Sequence, residues 1–198
     1  MERPVRQAYL NMIAKQVGPV LRGHGFKRSH GTFRRISDAG HGAIIEFQGS
    51  TGSWGDTSLF YVNLGVATPS WLDWSQERFG GNQRDRPSAS VAQWWTRLRA
   101  ASRHSDGFDR WAIRSVEEAD VCGAAVAGEL SERVIPTFDA LLAHYTHLDE
   151  ALTDGRVDEL VASFDARPPD PLNGIDHFRR LDHPYVAWML SRRPVAIE

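Results

Sequence analysis

Glu46, Gln48, Tyr61 and Asn63 are the residues whose types and spacing best suit them to act together. They occupy alternate positions in two stretches, Ala43 to Gln48 and Ser58 to Val66. In an extended chain, alternate side chains share a face. The other face of the first stretch carries Ala43, Ile45 and Phe47, and that of the second carries Phe60, Val62, Leu64 and Val66. A carboxylate, two amides and a phenol on one face could orient a ligand, with Glu46 as a general base. Arg34 or Arg35 from a preceding strand, and Arg97 or Arg99 from a later element, would add positive charge. Trp54, in the loop between the two stretches, would add an aromatic surface. Two plainer readings stand beside this one. The face is open to water, as antiparallel sheets often are, or it is covered by the Trp-rich segment and its polar groups bond to one another.

Other chemistry is less well supplied. His144 and His147 are three apart, a ligand-compatible spacing on a helix, but no motif fixes a third ligand. Cys122 is the one cysteine, so neither an intrachain disulfide nor a Cys-based zinc cluster can form. It falls on an apolar stripe and reads as a buried structural thiol. Gly49 to Thr57 is Gly-rich, yet it lacks the Gly-Lys-Ser/Thr ending of a phosphate loop and leads into a strand. Arg22, Lys27, Arg28, Arg34 and Arg35 lie near Phe26, Phe33 and Tyr61, a mixture that can bind single strands. The sequence pI of about 6.4 and the lack of an RNA-binding signature weigh against nucleic acid. No metal and no cofactor is expected.

The elements that would position the polar face follow from periodicity. Pro4 suits a helix start, and Val5, Tyr9, Met12, Ile13, Val17, Val20 and Leu21 make a helical stripe, so a helix is expected from Pro4 to Arg22. Gly23 and Gly25 stop it. Short strands are expected over Phe26–Arg28, Thr32–Ile36, Ala43–Gln48 and Ser58–Val66, joined by short polar turns and therefore antiparallel. A short helix is expected around Trp71 to Phe79. Val91–Arg99 reads as strand or helix, and Arg110–Val116 as a strand. Glu117 to Tyr145 reads as a long helix, kinked or restarted at Pro136. Arg156–Ala166, Asp176–Leu181 and Pro184–Leu190 read as short helices. The expected fold class is α+β: an antiparallel sheet of about four to six strands, helices packed on one face, and a C-terminal helical cap. Residues 1–150 form the α+β domain, and 151–198 a helical extension packed on it.

The chain has 198 residues, enough to hold a core without covalent staples. The N-terminus lacks an uninterrupted apolar run and a small-residue cleavage site, and no stretch reaches the length of a membrane span. With one cysteine, these features lead us to expect a cytoplasmic protein. Net charge is −2 but uneven: residues 1–50 carry eight Lys/Arg against three acids, and residues 116–166 carry two against twelve. Such asymmetry fits a basic sheet packed beside an acidic helix, or a steered partner surface.

Several short motifs together resemble a known family. They are Gly25-Phe26-Lys27-Arg28, Gly31-x-Phe33-x-Arg35, Ile45-Glu46-Phe47-Gln48, Phe60 to Val66, and Trp94 with Arg97-Leu98-Arg99. A Trp strand (Trp111, Ile113) and a helix with a late Pro (Pro136) follow. The set resembles the bacterial family catalogued as domain of unknown function 4304, over about residues 5–145. The resemblance implies no activity and carries over no catalytic residue; it marks Gln48, Asn63, Arg97 and Arg99 as matching polar positions. The expected function is a non-enzymatic binding module for a protein partner, of immunity or regulatory type. The alternative is a small-molecule-binding protein or enzyme with a pocket on the polar face. In either case the site is expected to draw on Glu46, Gln48, Tyr61, Asn63, Arg97, Arg35 and Trp54.

Overall fold

The computed structural model describes residues 4–53, 56–82, 84–156, 159, 162, 166–177 and 182–192. Its centre is β4 (Ser58–Ala67), which pairs along both edges. On one side it runs antiparallel to the whole of β3 (Gly42–Gly49), with Glu46 opposite Asn63 and Gln48 opposite Tyr61. On the other side two short strands share its length. β5 (Trp94–Arg97) pairs with Asn63 to Val66, and β6 (Trp111–Ile113) pairs with Ser58 to Phe60. β1 (Lys27–Ser29) and β2 (Thr32–Ile36) extend the sheet beyond β3 as a hairpin. β7 (Ile175–Asp176) closes the far edge against β5. Every pairing is antiparallel, as expected, and the shortest strands raise the count to seven among the described residues.

The apolar alternation dictates where the helices go. Phe33, Ala43, Ile45, Phe47, Phe60, Val62, Leu64, Val66, Trp94, Trp111 and Ile113 are all buried on one face. That face is covered by α1 (Pro4–Met12), α2 (Gly18–Gly23), α4 (Val116–Glu129) and α5 (Ile135–Asp154). Tyr9 of α1 lies 4.8 Å from Phe60, and Phe138 of α5 meets Trp94 edge-on at 6.1 Å. Cys122 sits in this layer, and burial pushes its thiol pKa up to about 12, so it stays protonated and unreactive.

The two long helices differ from expectation in the same way. A π-helical turn, Ile13–Val17, separates α1 from α2, and another, Leu130–Val134, separates α4 from α5. In each case a proline, Pro19 or Pro136, falls in the first turn of the helix that resumes. Proline lacks an N–H and its ring crowds the carbonyl four residues back; a widened turn accommodates both. The break expected at Pro136 is therefore present. The one at Pro19 corrects the unbroken helix read from Pro4 to Arg22.

α3 (Pro69–Phe79) starts at Thr68, whose hydroxyl accepts from the Trp71 N–H at 3.3 Å, with Pro69 at the first helical position. The C-terminal residues come back onto α3 and α5. α6 (Pro184–Ser191) contacts both helices, and Tyr185 meets Trp71 edge-on at 5.2 Å. Residues 175–176 are strand, not the start of the expected helix; the Gly174 backbone passes so close to the Trp94 ring that a Cβ would overlap it. The helix expected over 156–166 lies largely outside the described residues. Among those described, no helix is long and apolar enough to cross a membrane.

One buried polar contact ties the C-terminal cap to the body. Tyr185 donates its hydroxyl to the Asp149 carboxylate at 2.6 Å, and Thr68 and Ser70 also bond this carboxylate. Burial raises the Asp149 pKa, and these hydrogen bonds oppose the shift. A carboxyl whose folded pKa is raised stabilises the fold below its ordinary pKa, and the contribution fades as pH rises through the folded value. Asp149→Asn should therefore flatten stability against pH across the window above the ordinary carboxylate pKa. Tyr185→Phe should cost about 1–3 kcal/mol at neutral pH, since it leaves the buried acid short of a donor. Urea titrations of the three proteins at several pH values read both effects.

Candidate functional site

The second face of the sheet carries Thr32 and Arg34 on β2, Ile44, Glu46 and Gln48 on β3, Tyr61, Asn63 and Gly65 on β4, and Trp95 and Arg97 on β5. It is divided in two. Over Ile44 and Gly65 runs a strap, residues 87–92, containing a single 3-10 turn, Ala89–Val91. Gly65 is what lets it lie so close. A Cβ there would stand 2.8 Å from the Ala92 Cβ and 2.9 Å from the Ala89 Cα. Ile44, on the nominally polar face, is completely buried in consequence.

Two residues grip the strap from the sheet. Arg34 Nε donates to the Pro87 carbonyl at 2.7 Å, and the Glu46 carboxylate accepts from the Ala89 N–H. Trp71 Nε1 holds the far end through the Val91 carbonyl at 2.9 Å. Burial raises the Glu46 pKa; the Ala89 N–H and the Arg34 charge pull against it. Glu46 thus sits at the border of the covered half with part of its hydrogen-bonding capacity already used.

The other half is open, and its polar groups form one chain. Asn63 Nδ2 donates to Gln48 Oε1 at 2.9 Å, and Arg97 Nε donates to Asn63 Oδ1 at 3.3 Å. The Arg97 guanidinium also pairs with Asp109 and lies 4.2 Å over the Tyr61 ring. Cross-strand register accounts for the array, because Asn63 faces Arg97 directly on one side and Glu46 on the other. Gln48, Tyr61, Asn63 and Arg97 are therefore brought together, with Glu46 adjoining them.

Two of the expected residues are placed differently. Arg35 points to the helix side, pairs with Asp139 of α5 and lies over the Phe26 ring at 5.2 Å. Period two separates it from Arg34. Trp54 lies outside the described residues. Sequence reasoning missed Asp109 and Trp95. Nothing in the spacing marked Asp109, which reaches Arg97 from a loop. Trp95 was legible only once Trp94–Arg97 was known to be a strand, which puts Trp95 and Arg97 on one side. Among the described residues no three His, Cys, Asp or Glu side chains gather as a metal-ligand set.

An all-antiparallel sheet, helices on one face and a half-covered polar face opposite make this an α+β protein. The chain belongs to the family described as a domain of unknown function, DUF4304, whose model matches residues 17–140. The likeness read from the motifs is borne out over that range. No curated protein and no solved structure matches the chain. β7 and α6 lie beyond the match, whereas the polar array and the strap fall within it.

Gly65→Ala tests the division of the face. The added methyl should cost about 1–3 kcal/mol by forcing the strap outward. Hydrogen exchange should then speed up at Ala89 and Val91, with little change at Gln48 and Tyr61.

Proposed function

We propose that the open half of the polar face is the docking surface of a binding module for a protein partner, of immunity or regulatory type. The observation that carries this reading is the composition of that half. A Tyr61–Arg97 stack stands at its middle; Trp95, two residues back along β5 and level with Gly65, marks its border with the strap, and Ile175 stands directly opposite Trp95 on β7. Ile175 is 52% exposed, and Phe108, beside the Asp109 that pairs with Arg97, is 75% exposed. Trp, Tyr and Arg are the residue types that dominate binding energy at protein interfaces. Here the Arg is held by Asn63, Asp109 and an aromatic ring before any partner arrives, so little side-chain entropy remains to be lost on docking.

The alternative, a small-molecule site on the same face, has one observation in its favour. Burial shifts the Glu46 carboxyl toward the range useful to a general acid or base, beside a strap that borders the array. A thermal-shift screen against Glu46→Gln and the unaltered chain addresses that reading: a stabilising compound lost only in the variant would favour it.

The test of the first reading is capture from the native host with the unaltered chain, Trp95→Ala and Arg97→Ala, followed by titration of any captured partner. Each substitution should weaken that partner by about thirtyfold, the equivalent of a 2 kcal/mol hot spot. Thermal midpoints should move by no more than about 4 °C. If both variants capture the same proteins with unchanged affinity, the face is not the docking surface.

A further inference from the structure

A groove of about 690 Å³ opens on the helix side of the sheet, away from the strap and the polar array. It runs between α1, the β1–β2 hairpin and the start of the β3–β4 loop. Its size lies within the range of sites that take small organic molecules. Its apolar wall comes from Val5, Leu10 and Ile13 on the helix side and from Phe47 on the sheet. Leu10, on that wall, is 41% exposed.

The ionisable groups of known charge along this groove are of one sign. Among the described residues Arg6 and Arg28 line it, with His30 beside them, and no Asp or Glu does. Neither arginine forms an ion pair among the described residues. Arg28 is oriented all the same: its Nε donates to the His30 carbonyl at 2.8 Å, and its guanidinium lies 5.5 Å from the Phe33 ring centre. Among the described residues nothing accepts from its terminal nitrogens, which leaves them for another acceptor. Tyr9 lines the groove with the two arginines, close enough to feel both charges, and its ring packs against Phe60. Burial keeps its hydroxyl protonated and able to donate. Ser50, Thr51 and Thr57 add hydroxyls along the loop side. Two arginines and a phenol beside an apolar wall are complementary to an anion carried on an apolar body.

We propose that this groove binds an anionic amphiphile, a small molecule with a carboxylate or phosphate head and an aliphatic or aromatic body. The head meets Arg6, Arg28 and the Tyr9 hydroxyl, and the body lies along Leu10, Ile13 and Phe47. The site is independent of the protein-docking face, and either can fail without the other.

Titration calorimetry with decanoate, decyl phosphate, decanol and inorganic phosphate tests it on the full chain. At least one of the two anionic amphiphiles should bind saturably with one site per chain, and the tighter of the two identifies the head group. Decanol and inorganic phosphate should each bind at least about tenfold more weakly, since each lacks half of what the groove recognises. Arg6→Gln and Arg28→Gln should each weaken the better ligand by about tenfold. Leu10→Glu, which puts an acid at an exposed position on the apolar wall, should abolish binding. Arg28 also shapes the hairpin, so Arg6 and Leu10 carry the test: both are exposed, and unliganded thermal midpoints should show both variants folded. Equal binding of decanol and decanoate would overturn the proposal. So would phosphate binding as tightly as decyl phosphate, which would make this an ion site only. Full affinity in folded Arg6→Gln or Leu10→Glu would overturn it as well.

Discussion

β4 is hydrogen-bonded along both edges and packed on both faces for part of its length, and the rest of the molecule is arranged to permit this. Such a strand has no side left for polar groups except where the second face stays open. Its residues obey that demand. On the second face Gly65 is buried where the strap crosses, and Tyr61 and Asn63 are only partly buried where it does not. Gly65 is the point on which the division turns, because the strap backbone occupies the space a side chain would need. A larger residue would lift the strap, uncover Ile44 and deprive Glu46 of the Ala89 N–H.

The polar array is consequently a residue of the packing as well as a surface for use. Glu46 and Arg34 face the strap and are committed to it; Gln48, Asn63 and Arg97 face water and are committed to one another. A flat array of mutually bonded groups resists distortion and presents a fixed pattern of donors, acceptors and one aromatic-backed cation. The uneven charge of the chain has a partly local explanation. Basic β2 meets acidic α5 through Arg35 and Asp139.

The sheet, its antiparallel order and the pairing of Glu46 and Gln48 with Asn63 and Tyr61 were legible in the sequence, because period two leaves little freedom once one face must be buried. The π turns left a signal that went unread. Val5, Tyr9, Ile13, Val17 and Leu21 are spaced strictly by four, as are Cys122, Val126, Leu130, Val134 and Phe138, and all are buried. In a regular α-helix each such step overshoots a full turn by about 40°, so four steps would carry the last residue about 160° round the axis. An added residue in a widened turn takes up much of that drift and keeps the stripe facing the sheet. Other features had no local signal. The strap, the Arg97–Asp109 pair and the Tyr185–Asp149 bond join residues far apart in sequence or on irregular backbone, where neither period nor propensity speaks. The turn of Arg35 toward the helices was implicit in the alternation with Arg34.

β7 is only two residues long, yet it occupies the outer edge of β5 beside Trp94 and Trp95. An edge strand is adhesive, since its unpaired amides and carbonyls will accept any extended chain that comes by. During synthesis β5 leaves the ribosome some eighty residues ahead of its cover, by the separation of Trp95 from Ile175. For that interval a tryptophan-bearing edge is bare. β7 therefore takes that stretch of β5 out of reach of a neighbouring strand only after a long interval of synthesis.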